Sequence, residues 1–237
     1  MKIDTKYRSE ATEMMDDFSM EGEMLRDALD KIAKINQILG GNKLTLNGVK
    51  KLISNCNQSE PFTIVDIGCG NGDMLRNLAD FAQANKRNFI LIGIDANAFT
   101  ISHARNLSVN YPNISYRCED VFGTEFINLR YDISLCTLTL HHFKENEILS
   151  LMTVLKTQSS VGIVVNDLER SKVAYRLFQA LCFVFRLNKM SREDGLVSIL
   201  RGFKRKELVA FSEKLNLKKY KIRWKWAFRY QWIISNI

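Results

Sequence analysis

Residues 64–75 read Ile-Val-Asp-Ile-Gly-Cys-Gly-Asn-Gly-Asp-Met-Leu, and this stretch decides the fold class. The apolar run that ends in it predicts a short strand, and residues 73–86 predict a helix. The three glycines between them allow a tight turn and close approach of a ligand, which the first N–H groups of the helix would face. Asp66, two residues before the first glycine, suits a cationic amine better than a pyrophosphate. The stretch therefore predicts a site for a nucleotide-like ligand that carries positive charge.

Outward from this turn, the chain alternates between apolar runs and helical patterns. Strands are predicted at residues 62–67, 89–95, 114–119, 131–137 and 161–167, with helices at 73–86, 97–109 and 145–157. Continuous apolar strands separated by helices indicate a parallel sheet that is covered on both faces. Two final β-rich runs, 217–226 and 228–237, have almost no spacer and predict an antiparallel hairpin. The fold class is therefore α/β, with a Rossmann-like, seven-stranded, mostly parallel sheet whose last strand is antiparallel.

Two further segments flank this pattern. Helical spacing at residues 20–39 and 44–53 predicts an N-terminal helical cap over 1–60, ahead of the main domain at 61–237. A helical insertion of two or three helices is predicted after strand five, as a lid over residues 168–203. Its run 174–185 is rich in large apolar side chains, so this helix either packs into the core or covers an apolar pocket.

Composition excludes several classes of protein. The 237 residues are 46% hydrophobic, with 12 glycines and 2 prolines, which is typical of a globular chain rather than a disordered one. Five scattered cysteines form no C-x-x-C pair, and three histidines show no zinc spacing, so no metal is predicted. The first twenty residues lack a secretion signal, and the apolar run 173–187 is shorter than the roughly 20 residues that cross a bilayer. These features predict a cytoplasmic protein without a membrane span.

The net charge of +8 is concentrated near the C-terminus. Residues 201–230 contain eleven Lys or Arg against two Glu, and the rest of the chain is close to neutral. Such a basic face suits nucleic acid, an anionic membrane surface in peripheral contact, or an acidic carrier protein. A solvated outer face is the simpler interpretation, because lysines usually lie at the surface.

Carboxylates follow the next two predicted strands. Asp95 ends strand two, where it can accept hydrogen bonds from both hydroxyls of a ribose, and Asp120 follows strand three, where it can accept from an adenine amino group while Val121 covers the ring. Each acid alone is also explained by a helix cap or a turn. Together with the glycine turn they indicate a nucleoside site, since all lie at the carboxyl edge of the sheet. The G-x-G-x-G spacing differs from the G-x-G-x-x-G of dinucleotide-binding proteins.

With these motifs the chain resembles a class I S-adenosylmethionine-dependent methyltransferase, from about residue 60 to the C-terminus. The resemblance implies S-adenosyl-L-methionine as cofactor and S-adenosyl-L-homocysteine as product. It places Asp66 near the methionyl amine and either Cys136 or Thr137 beneath the sulfonium. The cofactor contacts it implies are Asp66, Gly68, Cys69, Gly70, Gly72, Asp95, Ala96, Asp120, Val121, Cys136 and Thr137.

Methyl transfer from a sulfonium requires alignment of the acceptor and, for a protonated acceptor, a base. His141 and His142, at the carboxyl edge after strand four, are the candidate catalytic bases, with an ordinary pKa of roughly 6.5. Either one is an equally good candidate at this stage. His103, within a predicted helix, is expected to be a surface or packing residue. Asn166 and Asp167, at the end of strand five, either orient the substrate or cap a helix.

The acceptor must be recognised by residues 1–60 and 168–205. Residues 14–17, 32–36, 166–171 and 191–203 resemble a bacterial subgroup encoded near type III polyketide synthases. This implies O-methylation, or alternatively C-methylation, of a phenolic or quinone-type secondary metabolite with an apolar tail. Two other functions stay open: an RNA or protein methyltransferase that uses the basic C-terminal face, and a non-catalytic cofactor-binding partner subunit. The oligomeric state is not predicted.

Overall fold

The computed structural model describes residues 3–56 and 60–237, and one mixed sheet of seven strands forms its centre. The strands are β1 (Phe62–Ile67), β2 (Phe89–Asp95), β3 (Ile114–Cys118), β4 (Tyr131–Thr137), β5 (Ser159–Leu168), β6 (Tyr220–Lys225) and β7 (Arg229–Ser235). Their order in the sheet is β3-β2-β1-β4-β5-β7-β6. The pairs among β1 to β5 are parallel, and β7 is antiparallel to both β5 and β6. The predicted seven-stranded sheet with an antiparallel last strand is confirmed.

Helices cover both faces of this sheet. The α-helices of the described residues are α1 (Glu23–Ile38), α2 (Gly41–Leu52), α3 (Asp73–Ala84), α4 (Ala98–Leu107), α5 (Thr124–Ile127), α6 (Glu145–Gln158), α7 (Lys172–Val184), α8 (Lys189–Arg201) and α9 (Arg205–Lys214). Ile64 and Val65 are neighbours in β1 and belong to apolar clusters on opposite faces of the sheet. Burial on both faces explains why these strands read as continuous apolar runs.

The N-terminal helices α1 and α2 begin within three residues of their predicted positions. α2 packs directly on the sheet, since a Cβ on Gly48 would lie 2.5 Å from Cγ1 of Val164 in β5. The Asn166 side chain also donates to the Gly41 carbonyl at 3.0 Å. The two helices are thus part of the main helical layer, and the predicted division into 1–60 and 61–237 stays a prediction. Residues 57–59 at that boundary lie outside the described residues.

The predicted insertion after β5 contains α7 and α8, and α9 follows it before the β6–β7 hairpin. α7 and α8 approach each other closely, because a Cβ on Gly195 would lie 2.3 Å from the Phe178 ring. In the part of the chain that the structure describes, no helix combines the length and apolar character needed to cross a membrane.

The sheet order determines where a ligand can bind. β1 lies between β2 and β4, so the chain leaves β1 toward one side and later returns to its other side. At such a switch point the connections diverge and leave a crevice at the carboxyl ends of the strands. The glycine turn after β1 lies at this crevice.

Candidate active site

The glycine turn after β1 has a left-handed backbone at Gly68, Gly70 and Gly72, with φ of 65°, 53° and 77°. The Gly68 N–H donates to the Ile94 carbonyl at 2.8 Å, which ties the turn to β2. A Cβ on Gly70 would meet nothing nearer than a methyl of Leu29 at 3.8 Å. Gly70 is therefore required by its backbone conformation, and the space beside it is open to a ligand.

A cavity of about 1690 Å³ opens beside this turn. The predicted site residues that line it are Asp66, Gly68, Cys69, Gly70, Asp95, Ala96, Asp120, Val121, Thr137, His141 and His142. The fold thus brings together residues from four strand ends that are up to 76 positions apart in sequence.

Gly72 and Cys136 do not line the cavity, and their cofactor contacts stay predictions. A Cβ on Gly72 would lie 2.0 Å from the Tyr116 hydroxyl, so this glycine closes the turn against β3. Cys136 is fully buried in the apolar cluster on the other face of the sheet. Successive side chains of β4 point to opposite faces, and Thr137 is the one that reaches the cavity.

Three carboxyl groups surround the glycine turn. Asp66 is 2% exposed, and its Oδ1 has no hydrogen-bond partner. Burial, reinforced by the charges of Asp73 and Asp95, raises the pKa of Asp66 well above its ordinary value. Burial also raises the pKa values of Asp73 and Asp95. A cationic group placed here would relieve this repulsion, and the unpartnered oxygen of Asp66 could accept a hydrogen bond from it.

The two acids predicted to bind the sugar and the base differ in the number of hydrogen bonds that they accept from the protein. Asp95 accepts from the Gly70 N–H at 3.2 Å and from the Asn97 N–H at 3.0 Å, so its carboxylate is held in a fixed orientation at the end of β2. Asp120 is exposed, and its Oδ1 accepts from the Phe122 N–H at 2.9 Å in a turn. Both carboxylates retain acceptor capacity toward a ligand in the cavity.

The paired histidines form two carboxylate–imidazole pairs. His141 Nδ1 lies 2.7 Å from Asp167 Oδ1, and His142 Nδ1 lies 2.7 Å from Asp16 Oδ1. Burial acts to raise the pKa values of both aspartates, but their histidine partners outweigh it and hold both pKa values below the ordinary range. Ionised carboxylates accept hydrogen bonds, so each Nδ1 carries the proton and each Nε2 is free to take one.

Glu13 lies between the two imidazoles. Its carboxylate oxygens are 3.9 Å from His141 Nε2 and 3.9 Å from His142 Nε2. Burial raises the pKa of Glu13 to about 7, against the opposing effects of His142, Ser198 and Arg201. Glu13, His141 and His142 each present a ligand atom within 4.8 Å of the others, so they are a candidate cation site that the sequence did not predict. Arg201 Nη1, 3.5 Å from Glu13 Oε1, already supplies positive charge there.

The N-terminal segment before α1 completes the site, and this contribution was missed in the sequence. Arg201 Nη1 donates to Asp16 Oδ2 at 2.6 Å, and the Met14 and Met15 N–H groups donate to Asp194 on α8. These contacts fix the segment against the lid helices and deliver Glu13 and Asp16 to the histidines. The segment carries no periodicity or ligand motif. The only sequence feature that pointed to it was residues 14–17, which form part of the resemblance to the bacterial subgroup.

The remaining candidates have structural partners. Asp167 accepts from the His141 backbone N–H at 3.2 Å as well as from its ring, so it orients His141. Asn166 donates to Thr45 Oγ1 at 3.0 Å and holds α2. His103 lies outside the cavity lining and contacts Asp30 at 2.8 Å, in line with the expected surface or packing role.

The far wall of the cavity is apolar. It is formed by α1 and by α7, the helix predicted to pack into the core or to cover an apolar pocket. Its side chains include Leu25, Leu29, Ile32, Leu177, Phe178, Leu181 and Val184. Phe178 and Leu181 line the same cavity as His142. The site therefore combines an acidic wall at the glycine turn, a carboxylate–imidazole cluster and an apolar chamber.

Sequence comparisons agree with this geometry. Residues 64–158 match the family model described as a methyltransferase domain. A putative methyltransferase, 235L of Invertebrate iridescent virus 6, is 26% identical over 113 residues, which are 47% of this chain and 40% of that protein. The chain thus matches about two-fifths of the length of this relative.

Solved structures share the fold over most of the chain. The plantazolicin methyltransferase BamL, in complex with a triazolic desmethylPZN analog and SAH, superimposes with a TM-score of 0.66 at 16% identity, over 88% of this chain and 90% of that one. Magnesium protoporphyrin IX methyltransferase (ChlM) from Synechocystis PCC 6803, with bound SAM, gives 0.54 at 13% identity, over 93% and 88%. These similarities establish the common fold.

Proposed function

We propose, from the premise that residues 64–158 form a class I S-adenosylmethionine-dependent methyltransferase domain, that this chain methylates a small, largely apolar acceptor. The observation that carries the proposal is the buried Asp66 carboxyl at the cavity wall, with an unpartnered oxygen and two further acids beside it. S-adenosylmethionine has both a cationic amine and a sulfonium, so it matches this wall in charge.

The cofactor, when bound, supplies a methyl group that is already activated by positive sulfur. Asp66 would accept hydrogen bonds from its amine, Asp95 from its ribose hydroxyls and Asp120 from its adenine amino group. The backbone of the glycine turn at residues 68–70 would lie beside the cofactor. Small or apolar contacts would come from Ala96, Val121 and Thr137. The fit rests on donor and acceptor chemistry and on the open space at Gly70.

The two carboxylate–imidazole pairs supply the base. His142 is partly exposed within the cavity, whereas His141 is buried, so we assign proton removal from the acceptor to His142 Nε2. Asp16 holds the proton at His142 Nδ1 and stabilises the imidazolium that forms. His141, fixed by Asp167, packs 4.4 Å from the His142 ring by centroid distance and positions it.

The apolar chamber under α7 supports an acceptor with an extended apolar part. A phenol or quinol would place its hydroxyl at His142 and its apolar tail along α1 and α7, which favours O-methylation of a phenolic or quinone-type metabolite in the cytoplasm. The natural-product methyltransferases among the structural neighbours make a role in secondary metabolism plausible.

An RNA or protein acceptor is the second candidate. Trp226, 73% exposed, lines the cavity beside the basic strand β6, which carries Lys221, Arg223 and Lys225. A polyanion on this edge would have access to the same cavity. Binding of RNA with a steep dependence on salt, together with RNA methylation, would favour this alternative. A non-catalytic subunit would bind cofactor without turnover on any acceptor.

Calorimetry with S-adenosylmethionine and S-adenosylhomocysteine tests the cofactor site. The wild type should bind both, and Asp95→Ala should bind them roughly 10- to 100-fold more weakly, since charge-assisted hydrogen bonds are lost. Asp80→Ala is the matched control, because Asp80 is exposed on α3 and outside the cavity lining. Absence of binding to the wild type would refute the proposed function.

Methyl transfer to phenol, quinol and RNA panels then tests the acceptor class. His142→Ala should lower the rate with a phenol most strongly at pH values below the phenol pKa, and less as the phenol ionises by itself. His141→Ala should lower the rate without removing this pH dependence. Equal rates for both variants and the wild type would show that neither imidazole acts on the acceptor.

A further inference from the structure

Arg229, the first residue of β7, is a buried cation without a hydrogen-bond partner. Its side chain lines the cavity and the residue is 3% exposed. Its Nε and Nη1 are buried and make no hydrogen bond, and no carboxylate of the described residues lies within ion-pair distance of it. Asp167 acts on it through charge alone, and both oxygens of that carboxylate are already engaged by His141.

The surroundings of Arg229 are polar and closely packed. Leu168 and Arg229 are paired in the β5–β7 register, so Arg229 lies at the carboxyl edge of β5. A Cβ on Gly41 would lie 2.9 Å from Arg229 Nη1 and 1.9 Å from Asn36 Oδ1, so glycine is what allows both groups to approach here. Asn36 Oδ1 and Gln231 Oε1 are also buried without partners. The polar groups of this corner are left unsatisfied by the protein itself.

Another arginine of the same chain shows how the fold satisfies a buried guanidinium. Arg170 is 0% exposed and donates to both oxygens of Glu207, at 3.1 and 2.6 Å, and to the Gly202 carbonyl. A guanidinium buried without such partners is strongly unfavourable. Burial lowers the pKa of Arg229 to about 10, which still leaves it charged at neutral pH. A carboxylate on a ligand in the cavity would supply the hydrogen-bond acceptors that the protein does not provide here.

We propose that Arg229 is the binding site for a carboxylate group of a ligand that occupies the cavity. A planar guanidinium can donate two parallel hydrogen bonds to a carboxylate, through its Nε–Nη2 edge or its Nη1–Nη2 edge. Arg229 has an unpartnered nitrogen on each of these edges, Nε on one and Nη1 on the other. The carboxylate comes either from the methionyl end of the cofactor or from an acid group on the acceptor. The identity of the ligand rests on the proposed function, whereas the anion site rests on Arg229 itself.

Arg229→Met tests the site, with Arg229→Gln as a second variant that keeps a polar end. Both variants should fold with a melting temperature equal to or above that of the wild type, because an unpartnered buried charge is removed. Arg170→Met, the matched control, should melt lower, because its partners lose their cation. Affinities are measured by calorimetry for S-adenosylmethionine and its decarboxylated form, and for 4-hydroxycinnamate and 4-hydroxycinnamamide.

If the cofactor supplies the carboxylate, the wild type binds S-adenosylmethionine roughly 10- to 100-fold more tightly than the decarboxylated form, and the variants lose this preference. If the acceptor supplies the carboxylate, the variants lose the preference of the wild type for 4-hydroxycinnamate over 4-hydroxycinnamamide, while their affinity for the cofactor is unchanged. The proposal is overturned if the wild type and the variants show the same ratio of affinities for S-adenosylmethionine over its decarboxylated form and for 4-hydroxycinnamate over its amide. It is also overturned if the Arg229 variants melt as low as Arg170→Met. These differences do not depend on turnover, so they are separable from a failure of the proposed function.

Discussion

Replacing Glu13 by Gln should make the protein more stable at neutral pH. Glu13 is 5% exposed, and burial raises its pKa from an ordinary 4.5 to about 7. Between these two values the unfolded chain has lost the proton and the folded chain keeps it. The free energy of unfolding of the wild type therefore falls as pH rises from 4.5, and levels off above 7.

The magnitude follows from the size of the pKa change. At about 1.4 kcal/mol for each pH unit, an interval of 2.5 units corresponds to about 3 kcal/mol. Glutamine has a similar shape and does not titrate, and it can still accept from the Ser198 hydroxyl, which lies 2.8 Å from Glu13 Oε2. Relative to the wild type, Glu13→Gln should gain about this amount between pH 4.5 and pH 8.

Urea denaturation of both proteins at pH 5, 6, 7 and 8 measures this difference. Titration of groups distant from Glu13 cancels when the two proteins are compared at the same pH. Glu21→Gln is the control, because Glu21 is exposed ahead of α1. A constant difference for Glu13→Gln across the range would refute the reasoning, since Glu13 would then be ionised in the fold, held by Arg201.

Two further outcomes are expected. Gly72→Ala should unfold at a lower denaturant concentration by roughly 2–4 kcal/mol, because its Cβ meets the Tyr116 hydroxyl at 2.0 Å in a left-handed backbone. Gly40→Ala separates backbone strain from overlap, because Gly40 has the same left-handed backbone, with φ of 78°, and nothing lies within 4 Å of its added Cβ; equal losses would contradict the predicted contact. Chelation by EDTA should leave methyl transfer unchanged, because the Arg201 guanidinium already places positive charge 3.5 Å from Glu13 Oε1 and disfavours a metal cation there. Restoration of lost activity by one divalent metal would instead assign Glu13, His141 and His142 as its ligands.

The sequence predicted the sheet because the central strands β1, β4 and β5 are buried on both faces, and because the glycine turn and the helix patterns are signals within short stretches of sequence. The antiparallel hairpin followed from its two adjacent β-rich runs, whereas the order of the strands came from the structure. The carboxyl ends of parallel strands meet at one edge, so Asp66, Asp95 and Asp120 could be grouped into one site without coordinates. The resemblance left Cys136 and Thr137 open as alternatives in β4, because motif position alone does not determine which face a strand residue takes. In the structure Cys136 is buried in an apolar cluster and Thr137 lines the cavity.

The histidine cluster was predicted only in part. His141 and His142 are adjacent in sequence, and their position after β4 indicated the cavity. Their partners come from elements far away in the chain: Glu13 and Asp16 lie more than 120 residues earlier, and Arg201 closes the cluster from α8. The residues of this cluster are not linked by any periodic pattern in the sequence. They come together only when the N-terminal segment packs on the lid helices.

The amino-acid sequence by itself determined the sheet, the glycine turn and the acidic edge, because these depend on contacts within single strand–turn–helix units. The tertiary structure alone decided the protonation of Glu13, the orientation of both imidazoles and the isolation of Arg229. Those properties depend on burial and on charges brought close from distant segments, and free energies of burial have no counterpart in local sequence.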